Sequence, residues 1–194
     1  MKLAVAMVVA GVLTTAAVAN PSREQAAAFQ KKLQQILLNS ESRSDRARQT
    51  VVTEGEVNSY LRFSAGDQLP VGVTDPVIGI EGQGRLNGRA IVDLDVIRQK
   101  RSSGGWFDPM SYLTGRLPVT ATGVLQTQEG RGRFTLETAA ISGVPIPKSF
   151  LQEIVSFYSR SSDFPTGINI DDPFDLPAEI QKIDTQQGRA NIIQ

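Results

Sequence analysis

The sequence contains no histidine and no cysteine. Without histidine, a Ser-His-Asp relay and a Cys-His pair are both excluded, and the side chain that most often moves protons near neutral pH is missing. Without cysteine there are no thiolate ligands, so carboxylates are the only side chains left for a metal. No disulfide can form either, and the core must hold the fold unaided. Charge of one sign is also lacking: 20 Lys and Arg balance 20 Asp and Glu. That balance argues against a nucleic acid partner, which is attracted through phosphate neutralisation by basic side chains. No glycine-rich phosphate loop and no internal repeat are found. These absences predict a protein that is not an enzyme, with no catalytic residues, no metal and no cofactor.

What is present begins with an apolar run. Lys2 is followed by "LAVAMVVAGVLTTAAVA", which ends in Ala17-Val18-Ala19. A charged start, an apolar stretch and an A-x-A site read as a signal peptide over 1–19. Retention of this segment as an anchor is the alternative. Residues 20–49 follow as an N-terminal helix and polar connection, and 50–194 as one α+β domain. An exported chain of roughly 175 residues suits a single domain.

Periodicity assigns the elements. Ser22 with Gln25 fits a capping box at the head of a helix over 22–39, whose stripe is Ala26, Phe29, Leu33, Ile36 and Leu37. "NSESRSDRARQ" reads as a loop, with Arg43, Arg46 and Arg48 as a solvated basic cluster or an anionic headgroup contact. Thr53 and Glu56 form a second box before a short helix carrying Val57, Tyr60 and Leu61. From residue 71 the period becomes two. Asn87-Gly88 suggests a type I′ turn between antiparallel strands. After it Ala90, Val92, Leu94 and Val96 share one face, and Ile91, Asp93, Asp95 and Ile97 the other. A second hairpin turns near Glu129-Gly130, with Phe134, Leu136, Thr138 and Ala140 on one face of its return strand. "ISGVPIPKSFLQEIVSFYSR" then sets Pro145 and Pro147 before an apolar helix from Lys148 to about Ser159. The chain closes with a hairpin at Gln187-Gly188, in which Ile180 and Ile183 fall on opposite faces of a regular strand. Hairpin-joined strands and flanking helices define an α+β class with an antiparallel sheet.

Several groups invite a functional reading beside a plainer one. The 148–159 helix either fills an ordinary core or lines an apolar cavity. The loop "GGWFDPMSYL" carries Trp106, Phe107, Met110 and Tyr112 and either folds back on the core or borders a cavity mouth at a membrane interface. Asp93 with Asp95, and Asp171, Asp172 and Asp175, resemble acid–base or cation-binding sets. Their plainer accounts are a wet strand face and turn chemistry. Ser142, Ser149 and Ser156 have no histidine to activate them.

The order of "VTEGEVNSYL", the Asn-Gly segment, "ISGVPIPKSFLQEIV" and "DPFDLPAEIQKIDTQQGRANI" resembles bacterial exported proteins of the LmeA-like phospholipid-binding family, over roughly 50–194. The resemblance implies a fold related to tubular lipid-binding domains, a strongly curved antiparallel sheet of hairpins wrapped around a long apolar helix. It also implies an envelope protein that binds phospholipid or a related amphiphile, with transient membrane-surface contact, and it favours the periplasm over extracellular release. On that expectation Val92, Leu94, Leu151, Ile154 and Val155 form the cavity wall, and Trp106, Phe107, Met110 and Tyr112 the entrance. The competing expectations are a structural or adaptor protein with a filled core that binds another envelope protein, and a hydrolase using paired carboxylates.

Overall fold

The structure, a computed structural model, describes residues 20–42, 46–100, 114–160 and 164–194. In chain order the elements are α1 (Arg23–Glu41), β1 (Gln49–Thr53), α2 (Glu54–Phe63), β2 (Val73–Gly82), β3 (Arg85–Asp93), α3 (Leu94–Lys100), β4 (Arg116–Gln128) and β5 (Arg131–Ile141). They continue with β6 (Val144–Pro145), α4 (Lys148–Ser159), β7 (Phe174–Asp175), β8 (Lys182–Gln186) and β9 (Arg189–Ile193). The class is α+β. One sheet runs β1-β9-β8 and the other β2-β3-β4-β5-β6, with β7 also on β5, and every pairing is antiparallel. The larger sheet is an open path with β2 at one edge, and the main neighbour of α4 is β5.

The helical pair is tied together by polar groups. Thr53 and Glu56 form both halves of the expected capping box: the Glu56 N–H donates to Thr53 Oγ1 at 3.3 Å and the Thr53 N–H to Glu56 Oε2 at 2.8 Å. The box at Ser22 is only half made. Ser22 Oγ accepts from the Gln25 N–H at 3.2 Å, but the Ser22 N–H donates to Ser59 Oγ on α2 at 3.1 Å. The Ser59 hydroxyl lies 2.9 Å from Gln25 Oε1, so a fully buried serine on the neighbouring helix takes the place of the reciprocal bond. Lys32 on α1 donates to both carboxylate oxygens of Glu56, at 2.7 and 2.8 Å. Burial by itself raises the Glu56 pKa. The hydrogen bonds from Lys32 and Thr53, with the Lys32 charge, outweigh it and hold the carboxyl below its ordinary value.

α2 also covers the edge of the larger sheet. Asn58 uses its whole carboxamide on β2, donating to Ile78 O at 2.7 Å and accepting from Ile78 N–H at 2.8 Å. Glu54 Oε2 accepts from the Ile80 N–H at 2.8 Å. Side chains thereby pair backbone groups that an edge strand otherwise leaves open to another chain. Beneath them lie two small cores. Val52, Ile80 and Ala190 pack with Phe29, Val57 and Leu86. Ile36, Leu176 and Ile180 pack with Ala178, and Ile183 and Ile192 join both groups. Ile180 precedes β8 rather than belonging to it, so Ile180 and Ile183 reach the same cluster instead of opposite faces.

The strand patterns differ from expectation in four places. The β2–β3 turn is Gln83-Gly84, where both φ angles are positive (53° and 81°). Asn87 and Gly88 lie inside β3, opposite Gly79 and Ile78. Asn87 fits there because Gly79 has no side chain: a Cβ would lie 2.6 Å from Asn87 Oδ1. β1 falls partly on the polar stretch read as a loop, and it is a strand because all five of its residues pair with β9. β3 stops at Asp93, whose Oδ1 accepts the N–H groups of Asp95 and Val96 at 3.1 Å each and so starts α3. Leu94 and Val96 therefore leave the strand face they were expected to share with Val92. On β5 the register jumps between Thr122↔Thr138 and Gly123↔Leu136, making Glu137 the extra residue of a bulge. The side-chain phase shifts by one: Phe134 and Leu136 are followed on the inner face by Ala139 and Ile141, while Thr138 is exposed.

Candidate functional site

Cross-strand pairs point to the same face of a sheet, so the registers define the inner face of the larger sheet. Its rows across β3, β4 and β5 are Leu86–Gly123–Leu136, Gly88–Ala121–Ala139 and Ala90–Val119–Ile141, and Val92–Leu117 completes the end nearest α3. Val73 of β2 stands beside Val92. The face is apolar along its length, but its two ends differ. Near the Gln83-Gly84 turn, Leu86 and Ile80 belong to the closed core. At the other end Val73, Ala90, Val92, Leu117, Val119 and Ala121 are half-buried, as Leu86 is, while Ile141 of the same face is buried. The middle row carries no side chain larger than a methyl group and forms a low floor between taller rows.

α4 is apolar on one arc and polar on another. With about 3.6 residues per turn, Phe150, Leu151, Ile154 and Val155 fall together, and all four are half-buried. Gln152, Ser156 and Ser159 fall on a separate arc and bind the backbone that returns beneath the helix. Gln152 Oε1 accepts from the Ile170 N–H at 2.8 Å, Ser159 Oγ from the Ile168 N–H at 2.6 Å, and Ser156 Oγ donates to Ile168 O at 3.2 Å. Pro147 is the N-cap of α4, as its fixed φ allows, whereas Pro145 ends the short edge strand β6 opposite Ala140 and does not open the helix.

The expected wall residues divide accordingly. Val92 is on the half-buried inner face, and Leu151, Ile154 and Val155 are on the apolar arc of α4. Leu94 is the first residue of α3 and is 2% exposed. The expected entrance residues Trp106, Phe107, Met110 and Tyr112 lie outside the described residues, as does the 1–19 segment. The flanks of that loop, α3 and the start of β4, adjoin Val92 and Leu117. Sequence reasoning missed Leu117, Val119, Ala121, Gly88 and Ala139. The alternation in "LPVTATGV" marks the first three, but only the β3–β4–β5 register joins all five into one surface.

The carboxylates are occupied locally. Asp93 caps α3, so it does not form a wet strand face with Asp95, whose Oδ2 accepts the Gly115 N–H at 3.1 Å. Asp171 pairs with Lys148, Asp172 with the Asn169 carboxamide, and Asp175 with Arg131. Among the described residues no group of acidic side chains could hold a metal ion. In the basic cluster, Arg43 lies outside the described residues, and Arg48 Nη1 donates to Asn39 O at 3.1 Å near the C-terminus of α1. No helix among the described residues is long and apolar enough to cross a membrane. A scan against protein-family models found no match to the chain, and no curated protein matches it.

Proposed function

We propose that this protein is an exported envelope protein that binds phospholipid or a related amphiphile without catalysing a reaction. One observation carries the reading: the inner sheet face around Ala90, Val92, Leu117 and Val119, and the arc of α4 with Leu151, Ile154 and Val155, are both apolar and neither is fully buried. Apolar surface that stays partly accessible gains from a further cover. The family resemblance supplies a fitting cover, an acyl chain. In this reading the sheet wraps around α4 in the loaded form, with the acyl chain over the Gly88–Ala121–Ala139 row. A transient contact with the membrane surface delivers the lipid in this reading.

The energetics suit a carrier. Removing an acyl chain from water is worth about 0.8 kcal/mol per methylene, but a bilayer offers nearly the same environment. Loading and unloading are therefore close to balanced and need no coupled energy source. The protein has only to present an apolar surface, a route to it, and a mouth that tolerates a polar headgroup. The reading places the protein in the periplasm.

Organic extraction of the purified mature protein followed by mass spectrometry tests the proposal. The expected result is co-purified phospholipid, with a much lower load on Ile154→Lys. An Ile154→Lys variant that folds and keeps the full load would show that α4 is not the wall. A wild-type protein that carries no lipid and takes none from phosphatidylglycerol vesicles would overturn the reading and favour an adaptor.

A further inference from the structure

We infer that the outer edge of β1 is a self-association surface, which pairs antiparallel with β1 of a second copy of this chain about a two-fold axis at Thr50. The inference goes beyond the amphiphile-binding reading and does not rest on it. The sheet edges differ in how they are closed. β2 is covered by the Asn58 carboxamide and the Glu54 carboxylate. Its outer half also carries a bulge between Thr74 and Val77, with Asp75 at a φ of 49°. On β8, Thr127 Oγ1 accepts the Ile183 N–H at 2.8 Å and donates to Ile183 O at 3.1 Å, and the Gln83 N–H donates to Thr185 O at 3.1 Å. β6 is only Val144 and Pro145, and proline has no N–H to offer. Bulges, prolines and covering side chains keep an edge strand from pairing with another chain.

β1 has no such cover among the described residues. Arg48 and Gln194 exchange both backbone bonds, the Arg48 N–H to Gln194 O at 3.0 Å and the Gln194 N–H to Arg48 O at 2.9 Å. Bonded positions alternate along an antiparallel strand, so Thr50 and Val52 face β9, while Gln49, Val51 and Thr53 turn their backbone groups to the outer edge. Glu56 takes the Thr53 N–H. The N–H and C=O groups of Gln49 and Val51 meet no partner among the described residues, and the Val51 side chain is 47% exposed. A second copy centred on Thr50 sets Gln49 opposite the partner's Val51, and Val51 opposite the partner's Gln49. These two pairs satisfy every one of the open groups on both strands. The flanking charges favour a second copy, and an antiparallel one. Arg46 and Arg48 precede β1, Glu54 and Glu56 follow it, and the same register carries Arg46 toward the partner's Glu54. A parallel copy would set like charges side by side. Complementarity of this kind fixes orientation and choice of partner more than affinity. The pairing is isologous, as a two-fold dimer requires, and it makes one continuous sheet of two three-stranded ones. So short an edge buries little area, which makes the dimer weak and dependent on concentration.

Sedimentation velocity on the full mature chain, from micromolar to millimolar concentration, tests this. The sedimentation coefficient is expected to rise from that of a monomer toward that of a dimer. Val51→Pro is expected to stay monomeric throughout, since the N–H it removes faces away from β9 and an edge position accepts proline. Val51→Lys keeps the backbone intact and puts a charge on the edge; it is expected to stay monomeric too, and it serves if the proline variant does not fold. Disulfide trapping reads the register, in a chain with no cysteine of its own. Residues opposite each other at a non-hydrogen-bonded site have Cα atoms about 4.5 Å apart, within the span of a disulfide. Thr50→Cys is therefore expected to link two copies at least about tenfold faster than Gln186→Cys on β8, because pairing raises the local thiol concentration. A wild type that stays monomeric at every concentration would overturn the pairing and leave this edge to a strand of another protein. Folded Val51→Pro or Val51→Lys variants that still dimerise, or equal linking at Thr50 and Gln186, would overturn it as well.

Discussion

The α1–α2 end and the α4 end of this molecule use the same apolar alphabet and reach different degrees of closure. At the first end Val52 and Ile80 are 4% and 6% exposed. At the second, Val92, Val119, Ile154 and Val155 are half-buried, although Leu94 and Ile141 there are 2% and 9% exposed. Hydrophobicity does not separate them, since α4 is the more apolar helix of the two by sequence. The difference lies in where the polar groups go. α2 sends Asn58 and Glu54 into the sheet edge and Ser59 and Glu56 into α1, so its apolar face is held at a fixed distance. α4 directs its polar arc to its own return segment. Apolar burial supplies the driving force at both ends, and directed bonds decide whether the surfaces close.

The sharpest way to break this comparison is to truncate one isoleucine at each end. Ile80→Ala removes a buried side chain from a packed cluster and is expected to cost about 2–4 kcal/mol. Ile154→Ala removes a half-exposed one and is expected to cost under about 1 kcal/mol. Denaturant midpoints of the lipid-free protein measure both. Equal losses would mean that α4 is as tightly packed as α2. A smaller effect comes from the anchor itself. Asn58→Leu keeps the bulk but strands the Ile78 N–H and C=O, and the expected loss is about 2–3 kcal/mol. A loss below about 0.5 kcal/mol would show that water replaces the carboxamide freely and that the edge is not closed by it.

Much of the scaffold was legible because its signals are local. The Thr53–Glu56 box, the Glu129-Gly130 turn, the Gln187-Gly188 turn and the 148–159 helix each depend on a few adjacent residues. The misreadings share a cause: a distant partner decided them. Asn87-Gly88 has the chemistry of a turn, yet Gly79 on the facing strand makes room for Asn87 and the turn falls at Gln83-Gly84. Ser22 and Gln25 have the spacing of a box, yet Ser59, far along the chain, intercepts it. β1 has no alternation of its own and depends on β9. The Glu137 bulge is invisible in strand period and moves Ala139 to the inner face in place of Thr138. The candidate surface suffers most, because a row such as Gly88–Ala121–Ala139 exists only once three strands are in register.

Another small effect sharpens the account of how the closed end is held. Glu56 has a folded pKa below its ordinary value because the Lys32 and Thr53 bonds outweigh its burial. A carboxyl with a depressed folded pKa contributes stability that is fully present above its unfolded value, about 4.3. That contribution is lost as the pH falls through the lower folded value. Glu56→Gln can keep part of the capping box, since glutamine also serves at that position. It loses the ion pair with Lys32, whose side chain is 32% exposed and partly screened by water. The expected cost at pH 7 is therefore only about 1 kcal/mol. As the solution is acidified below about pH 4.3, the wild type should lose its advantage over Glu56→Gln, and the two unfolding curves should converge. A gap that stays constant down to pH 2 would assign the Glu56 contribution to packing. A gap that closes with acid assigns it to the charge-assisted bonds that join α1 to α2, which have no counterpart between α4 and the sheet among the bonds described.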